Sequence, residues 1–333
     1  MRGFIVFPTI VCLVVSGFGQ ENSLQRLDEL IPLKTAGGLF FWGDVFFSRE
    51  HHIQKNVKTG THRLLDVRSV QRANGSYEAC KRRLEEIESE DNVLPLHGRV
   101  VILLHGFGSN SLTMRRLAEF LRACKEFDAV CNMTYPSTQQ SILEHAQMLE
   151  QVVNGLPPTV TRIDFVGHSL GSIVMRRYLS GPLDEDWRVP LDKMEYRGKF
   201  WPDNRVGRFV MLGPPNHGAE IAVRVIGNNP LNRRLGGESG DELGIHWHRT
   251  ELSLGIPCCP FGIIAGGRGD GRGYNTLISE DNDGIVSTEG TRLQGTDDWT
   301  QFLVGHGEML LTEEVHAAVL RFLEHGRFRD ETK

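Results

Sequence analysis

Val100-Val101-Ile102-Leu103-Leu104 is an unbroken apolar run, the pattern of a strand covered on both faces of a parallel sheet. Helical spacing of apolar positions follows over 112–124, then a strand-like segment over 129–135. A helix over 141–156 leads to a strand over 161–166 and a helix over 170–178. Later strands are expected at 208–212, 261–265 and 299–304, and a closing helix at 312–324. Strands alternating with helices of this length imply an α/β fold with a mostly parallel central sheet flanked by helices.

Two stretches interrupt the alternation. Residues 181–205 hold three prolines and a cluster of acids, and 219–260 pair a helical start with glycine-rich turns. Both fall between strands, where sheets of this kind carry cap insertions over their sites. Upstream, residues 20–96 read as an N-terminal elaboration. One extended segment spans Phe40-Phe41-Trp42 and Val45-Phe46-Phe47, a turn follows at 58–61, a returning strand at 62–70, and a helix at 77–90. Residues 97–333 then form the catalytic domain.

The first 19 residues differ in kind. Arg2 is followed by an uncharged run over 3–18 and by Gly17-Phe18-Gly19, the small-residue spacing of a signal-peptidase site. The run is short for a spanning helix, which takes roughly 20 apolar residues. It reads as a secretory signal peptide, implying a periplasmic or extracellular protein, with an uncleaved N-terminal anchor as the alternative. After cleavage Cys80, Cys124, Cys131, Cys258 and Cys259 remain, an odd number, so at least one thiol is unpaired within the chain.

Charge narrows the partners. Lys+Arg 37 against Asp+Glu 42 gives a net charge of -5, without the basic excess that a nucleic-acid binder needs. The groups His51, His52, His62 and His246-Trp247-His248 lack the carboxylates and spacing of a metal site. Neither a metal nor another cofactor is expected, and nothing implies an obligate protein partner.

The chemistry-bearing motif is Gly167-His168-Ser169-Leu170-Gly171, a G-x-S-x-G between a strand-like and a helical segment. That context places a serine oxygen on a tight turn above the sheet. A serine hydroxyl needs a base within reach, and the base needs an acid to orient it. Among the later histidines (His217, His246, His248, His306, His316 and His325), His306 is singled out by its place after an apolar strand, between Gly305 and Gly307. The two glycines are expected to let its loop approach the serine, while His316 and His325 fall on the closing helix. Asp283 is the favoured acid and Asp281 its nearest competitor; Asp270 sits in a glycine-rich loop without phosphate-cradle order. The oxyanion needs two backbone N–H donors. Leu170 supplies one, and the loop His105-Gly106-Phe107-Gly108, directly after the first sheet strand, supplies the other.

The segments VVILLHGFGSN, NMTYPST, DFVGHSLGSIVMRRYL, MLGPPNHGAE, NDGIVS and VGHGEMLL occur in this order over roughly residues 98–326. Together they resemble α/β-hydrolase-fold lipases and esterases of the bacterial lipase-like branch with an HG-type oxyanion loop. The resemblance implies Ser169 as nucleophile, Asp283 as acid, His306 as base and Phe107 as the second oxyanion donor. Pro214 stands where threonine is usual. The implied activity is hydrolysis of acyl esters or lipid-like esters through an acyl-enzyme, with peripheral membrane contact if the substrate is lipid. Acyl transfer, thioester or amide cleavage could use the same residues, and a non-catalytic binding protein on this scaffold is the alternative of another class.

Overall fold

The computed structural model describes residues 41–183, 202–219 and 230–329. The segment read as a signal peptide, and most of the 181–205 insert, lie outside the described residues.

Six strands form the central sheet: β5 (Gly98–Leu104), β6 (Ala129–Met133), β7 (Val160–His168), β8 (Val206–Leu212), β9 (Phe261–Gly266) and β10 (Asp298–Phe302). They lie in the order β10-β9-β8-β7-β5-β6, every neighbouring pair parallel. Parallel neighbours require crossovers, here supplied by α2 (Arg115–Ala123), α3 (Ile142–Gly155), α4 (Leu170–Tyr178) and α5 (Pro230–Leu243), with α6 (Glu313–His325) closing the described residues; α1 (Tyr77–Glu90) belongs to the N-terminal unit.

Alternation along β5 shows why its sequence is apolar from Val100 onward. Val100, Ile102 and Leu104 enter one core with α3 and α4, whereas Val101 and Leu103 enter the other with α2 and α6. Local signals fix the helix ends. Ser141 and Glu144 form a reciprocal capping box on α3, and Gly326 ends α6 at φ 77°, the left-handed closure that glycine permits.

The N-terminal elaboration is an antiparallel sheet of β1 (Trp42–Phe47), β2 (His51–Asn56), β3 (His62–Asp66) and β4 (Gln71–Gly75), covered by α1 (Tyr77–Glu90). Here the hydrophobic pattern misleads twice. β2 is polar apart from Ile53, and its Gln54 is buried because Arg63 on β3 donates to its Oε1 from Nε at 3.0 Å and Nη2 at 2.8 Å. The expected strand over 62–70 breaks after Asp66, whose Oδ1 accepts the backbone N–H of Arg68 and of Val70, both at 2.9 Å. That Asx-type turn reverses the chain into β4.

The small sheet is fused to the large one. Asp44, fully buried, donates its N–H to the Thr134 carbonyl at 2.8 Å and accepts the Thr134 N–H on Oδ2 at 2.6 Å. Its other oxygen lies 2.5 Å from His52 Nδ1. Phe46 packs where α3 has Gly155, whose Cβ, if present, would meet the ring at 2.9 Å. The five cysteines from Cys80 to Cys259 are free thiols. Burial pushes that of Cys131 up to about 12.

Candidate active site

Ser169 sits at the junction of β7 and α4 with φ 52° and ψ -124°. A non-glycine residue there carries on the order of 1–3 kcal/mol of backbone strain and persists only where its surroundings over-determine it. Several contacts do so. The Ser169 N–H donates to Leu212 O at 2.8 Å, and the Ser172 hydroxyl donates to Gly167 O at 2.6 Å. Both motif glycines are forced by crowding: a Cβ at Gly167 would lie 2.6 Å from the Ser172 backbone, and one at Gly171 2.4 Å from Leu104 O.

His306 and Asp283 meet from separate loops. His306 follows β10, Asp283 follows β9, and His306 Nδ1 lies 2.6 Å from Asp283 Oδ2. The Asp283 side chain is fully buried, and its other oxygen accepts N–H from Ile285 at 2.9 Å and from Val286 at 2.8 Å. A backbone bond from His306 N–H to Asp283 O at 2.8 Å ties the loops a second time. The carboxylate therefore has one edge held by main chain and one edge offered to the imidazole.

The reason expected for Gly305 and Gly307 is not the operative one. A Cβ at Gly307 would meet nothing within 4 Å, and one at Gly305 nothing nearer than 3.6 Å. The crowded glycines lie elsewhere: at Gly213, at the end of β8 with φ 53°, a Cβ would stand 3.1 Å from both Asp283 Oδ2 and His306 Nδ1, and at Gly266, which ends β9, it would stand 2.8 Å from Asp283 Cβ. His306 is also less exposed than its loop position suggests, its side chain retaining 13 % of its accessibility.

Ser169 and His306 line one cavity of about 540 Å³ together with Gly106, Phe107 and His168. Its remaining walls are largely apolar, from Leu112, Leu243, Ile285, Val286, Leu310 and Leu311. No hydrogen bond joins Ser169 Oγ to His306 among the described residues; such links are often loose without substrate and tighten in the reacting complex. Leu170, as the first residue of α4, has a backbone N–H without an intrahelical acceptor. The loop at 105–108 reaches the serine closely, since a Cβ on Gly106 would lie 3.1 Å from Ser169 Cβ. Gly108 N–H is taken up by Ser137 Oγ at 3.0 Å, which fixes the loop on the far side of Phe107.

His105 anchors this loop rather than facing the cavity. It is fully buried, stacked on Tyr135 at 4.4 Å, with Nδ1 donating to Gly106 O at 2.8 Å. Of the competing residues, Asp281 accepts N–H from Arg268 and Gly269, both at 2.9 Å, and from Gln301 Nε2 at 2.7 Å. It staples its own loop and leaves His306 to Asp283. Asp270 closes a turn on Arg272 N–H and Gly273 N–H. His316 is buried, with Nε2 donating to Leu310 O at 2.9 Å. His217 is half exposed and 3.9 Å from Glu251, His246 caps a one-turn helix that includes His248, and His325 ends α6.

Two contributors escaped the sequence reading. His168, the variable position of the motif, donates from Nε2 to the backbone carbonyl of His306 at 2.9 Å, and the two rings lie 4.6 Å apart. Arg176, fully buried on α4, donates to Gly255 O at 2.9 Å and to Asn216 Oδ1 at 3.1 Å. It locks the turn after Gly213 behind the site, and burial lowers its guanidinium to about 10. Only its position one turn beyond Ser172 could have drawn attention to it.

Burial, the largest cause in each case, lowers His105 to about 4, His145 to about 3 and His168 well below the ordinary histidine value. The folded state thus keeps three imidazoles neutral that the unfolded chain protonates below about pH 6.5. Stability is therefore full above that pH and falls as pH drops through it, by about 1.4 kcal/mol per unit for each histidine until its folded value is reached. Calorimetric melting at pH 7 and pH 5 should show a markedly lower Tm at pH 5, and equal Tm values would refute the assignment.

The parallel sheet, a strained serine at a strand–helix turn, and an acid and histidine from later strand ends define an α/β-hydrolase fold. No protein-family model and no curated protein matches the chain. Among solved structures, the lipase BlEst2 of Bacillus licheniformis in its mature form is similar at 17 % identity and TM-score 0.45, covering 67 % of this chain and 91 % of that one. The metagenomic carboxyl esterase MGS0156 matches at 16 % identity and TM-score 0.43, covering 63 % and 65 %. Phospholipase PlaB of Legionella pneumophila matches at 18 % identity and TM-score 0.40, covering 59 % and 45 %.

Proposed function

We propose that this chain is a serine hydrolase of carboxylic esters with apolar acyl groups, working through an acyl-enzyme. The observation that carries the reading is the strained Ser169 sharing one apolar cavity with His306, whose Nδ1 is engaged by Asp283. With the Nδ1 hydrogen directed at Asp283, His306 Nε2 is the free acceptor. It takes the Ser169 proton as Oγ attacks the ester carbonyl. The N–H groups of Leu170 and Phe107 receive the oxyanion. His306 then returns its proton to the leaving alcohol, and water, activated by the same imidazole, releases the acid.

The apolar walls set an expectation for chain length. Each methylene buried contributes about 0.8 kcal/mol, so kcat/KM can rise up to about fourfold per carbon until the cavity is full. A p-nitrophenyl ester series from acetyl to decanoyl should show this rise and a plateau. Ser169→Ala should reduce every member to background. A Ser169→Ala protein that retains the wild-type profile would overturn the reading.

A further inference from the structure

The cavity mouth carries charge of a single sign. Arg115 and Arg116, at the start of α2, both line it beside Leu112 and Leu311, and no carboxylate lines it among the described residues. Arg116 forms no ion pair among the described residues. Arg115 has only a 3.7 Å contact to Glu119, with both side chains more than 60 % exposed, an arrangement that leaves its charge available. The chain as a whole is net -5, so its general field repels anions and this mouth is a local exception. Arginine's planar fork matches phosphate and carboxylate oxygens pairwise. Leu112 and Leu311 beside it are 69 % and 51 % exposed, which sets apolar and cationic surface side by side.

We propose that Arg115 and Arg116 select anionic amphiphiles, seating a phosphate or carboxylate head at the mouth while the apolar part enters the cavity. This rests on the reading of that cavity as the ester site and names its substrate class: acyl esters that carry a negatively charged group. Such a head reaches the site from a dissolved amphiphile or from an anionic lipid surface.

Binding of octyl phosphate and of octyl glucoside, each below its micellar concentration, is compared by calorimetry on wild type and on Arg115→Gln/Arg116→Gln. Octyl phosphate should bind wild type about tenfold more tightly, a difference of about 1.4 kcal/mol, and the gap should shrink at high salt. The double variant should bind both ligands equally, at the octyl glucoside affinity of wild type. Equal affinities in wild type, or a preference that survives in the variant, would overturn the proposal. Sedimentation with phosphatidylglycerol against phosphatidylcholine vesicles separates the sources. Arginine-dependent pelleting with the former identifies a lipid surface, and octyl phosphate binding without pelleting identifies a dissolved amphiphile. An inactive wild type on p-nitrophenyl esters would refute the ester chemistry, whereas the binding comparison alone decides the anion preference.

Discussion

Replacing His306 by alanine is expected to lower kcat on p-nitrophenyl hexanoate by roughly 10⁵- to 10⁶-fold, because serine, base and acid fail as a unit. The control is His316→Ala. His316 shares the C-terminal region but is buried against Phe120 and bonded to Leu310 O. Its loss should cost about 1–3 kcal/mol of stability, the price of an unsatisfied carbonyl, and leave kcat within a few fold. Steady-state kinetics on the folded variants decide the matter. An active His306→Ala protein, or a folded but inactive His316→Ala one, would show that the base is misassigned.

Asp283→Asn should be nearly as severe, about 10⁴-fold in kcat, for a reason visible in its hydrogen bonds. The N–H groups of Ile285 and Val286 both point at Oδ1, so an asparagine must place its oxygen there. Its NH₂ group then faces His306 Nδ1 and drives the imidazole into the tautomer with Nδ1 unprotonated. Nε2 then carries the hydrogen and cannot accept one from Ser169. Asp281→Asn should behave differently. Donors approach both of its oxygens, so an amide meets an N–H on one side and destabilises the loop by about 1–3 kcal/mol, with kcat almost unchanged. Comparable kcat losses in the two variants would argue against Asp283 as the orienting acid.

The central sheet was legible because its inner strands carry buried apolar runs, as in Val100–Leu104 of β5, whereas the edge strand β10 is only half-buried and mixes polar with aromatic residues. The elaboration was only half legible. β2 holds its place through Arg63, Gln54 and a single core residue, Ile53, and a pattern of apolar positions carries no trace of such pairing. At the site, Ser169 is announced by flanking glycines that the turn sterically requires. His306 and Asp283 are announced only by their places after strands, and the glycines that make room for them, Gly213 and Gly266, lie at the ends of strands β8 and β9. His168 acts through a backbone carbonyl, an acceptor every residue offers, and Arg176 through carbonyls and the distant Asn216 side chain, so no local partner marks either in the sequence.

The joint from His168 to the carbonyl of His306 spans 138 positions of chain. It closes only after β8, β9 and β10 have been added in turn beyond β7. During synthesis the serine turn emerges long before the histidine that would activate it, and contacts of such long range form late. On the proposed mechanism, hydrolytic competence is thus withheld from every incomplete chain. A nascent or C-terminally shortened polypeptide can carry the strained serine and still be inert toward the esters around it.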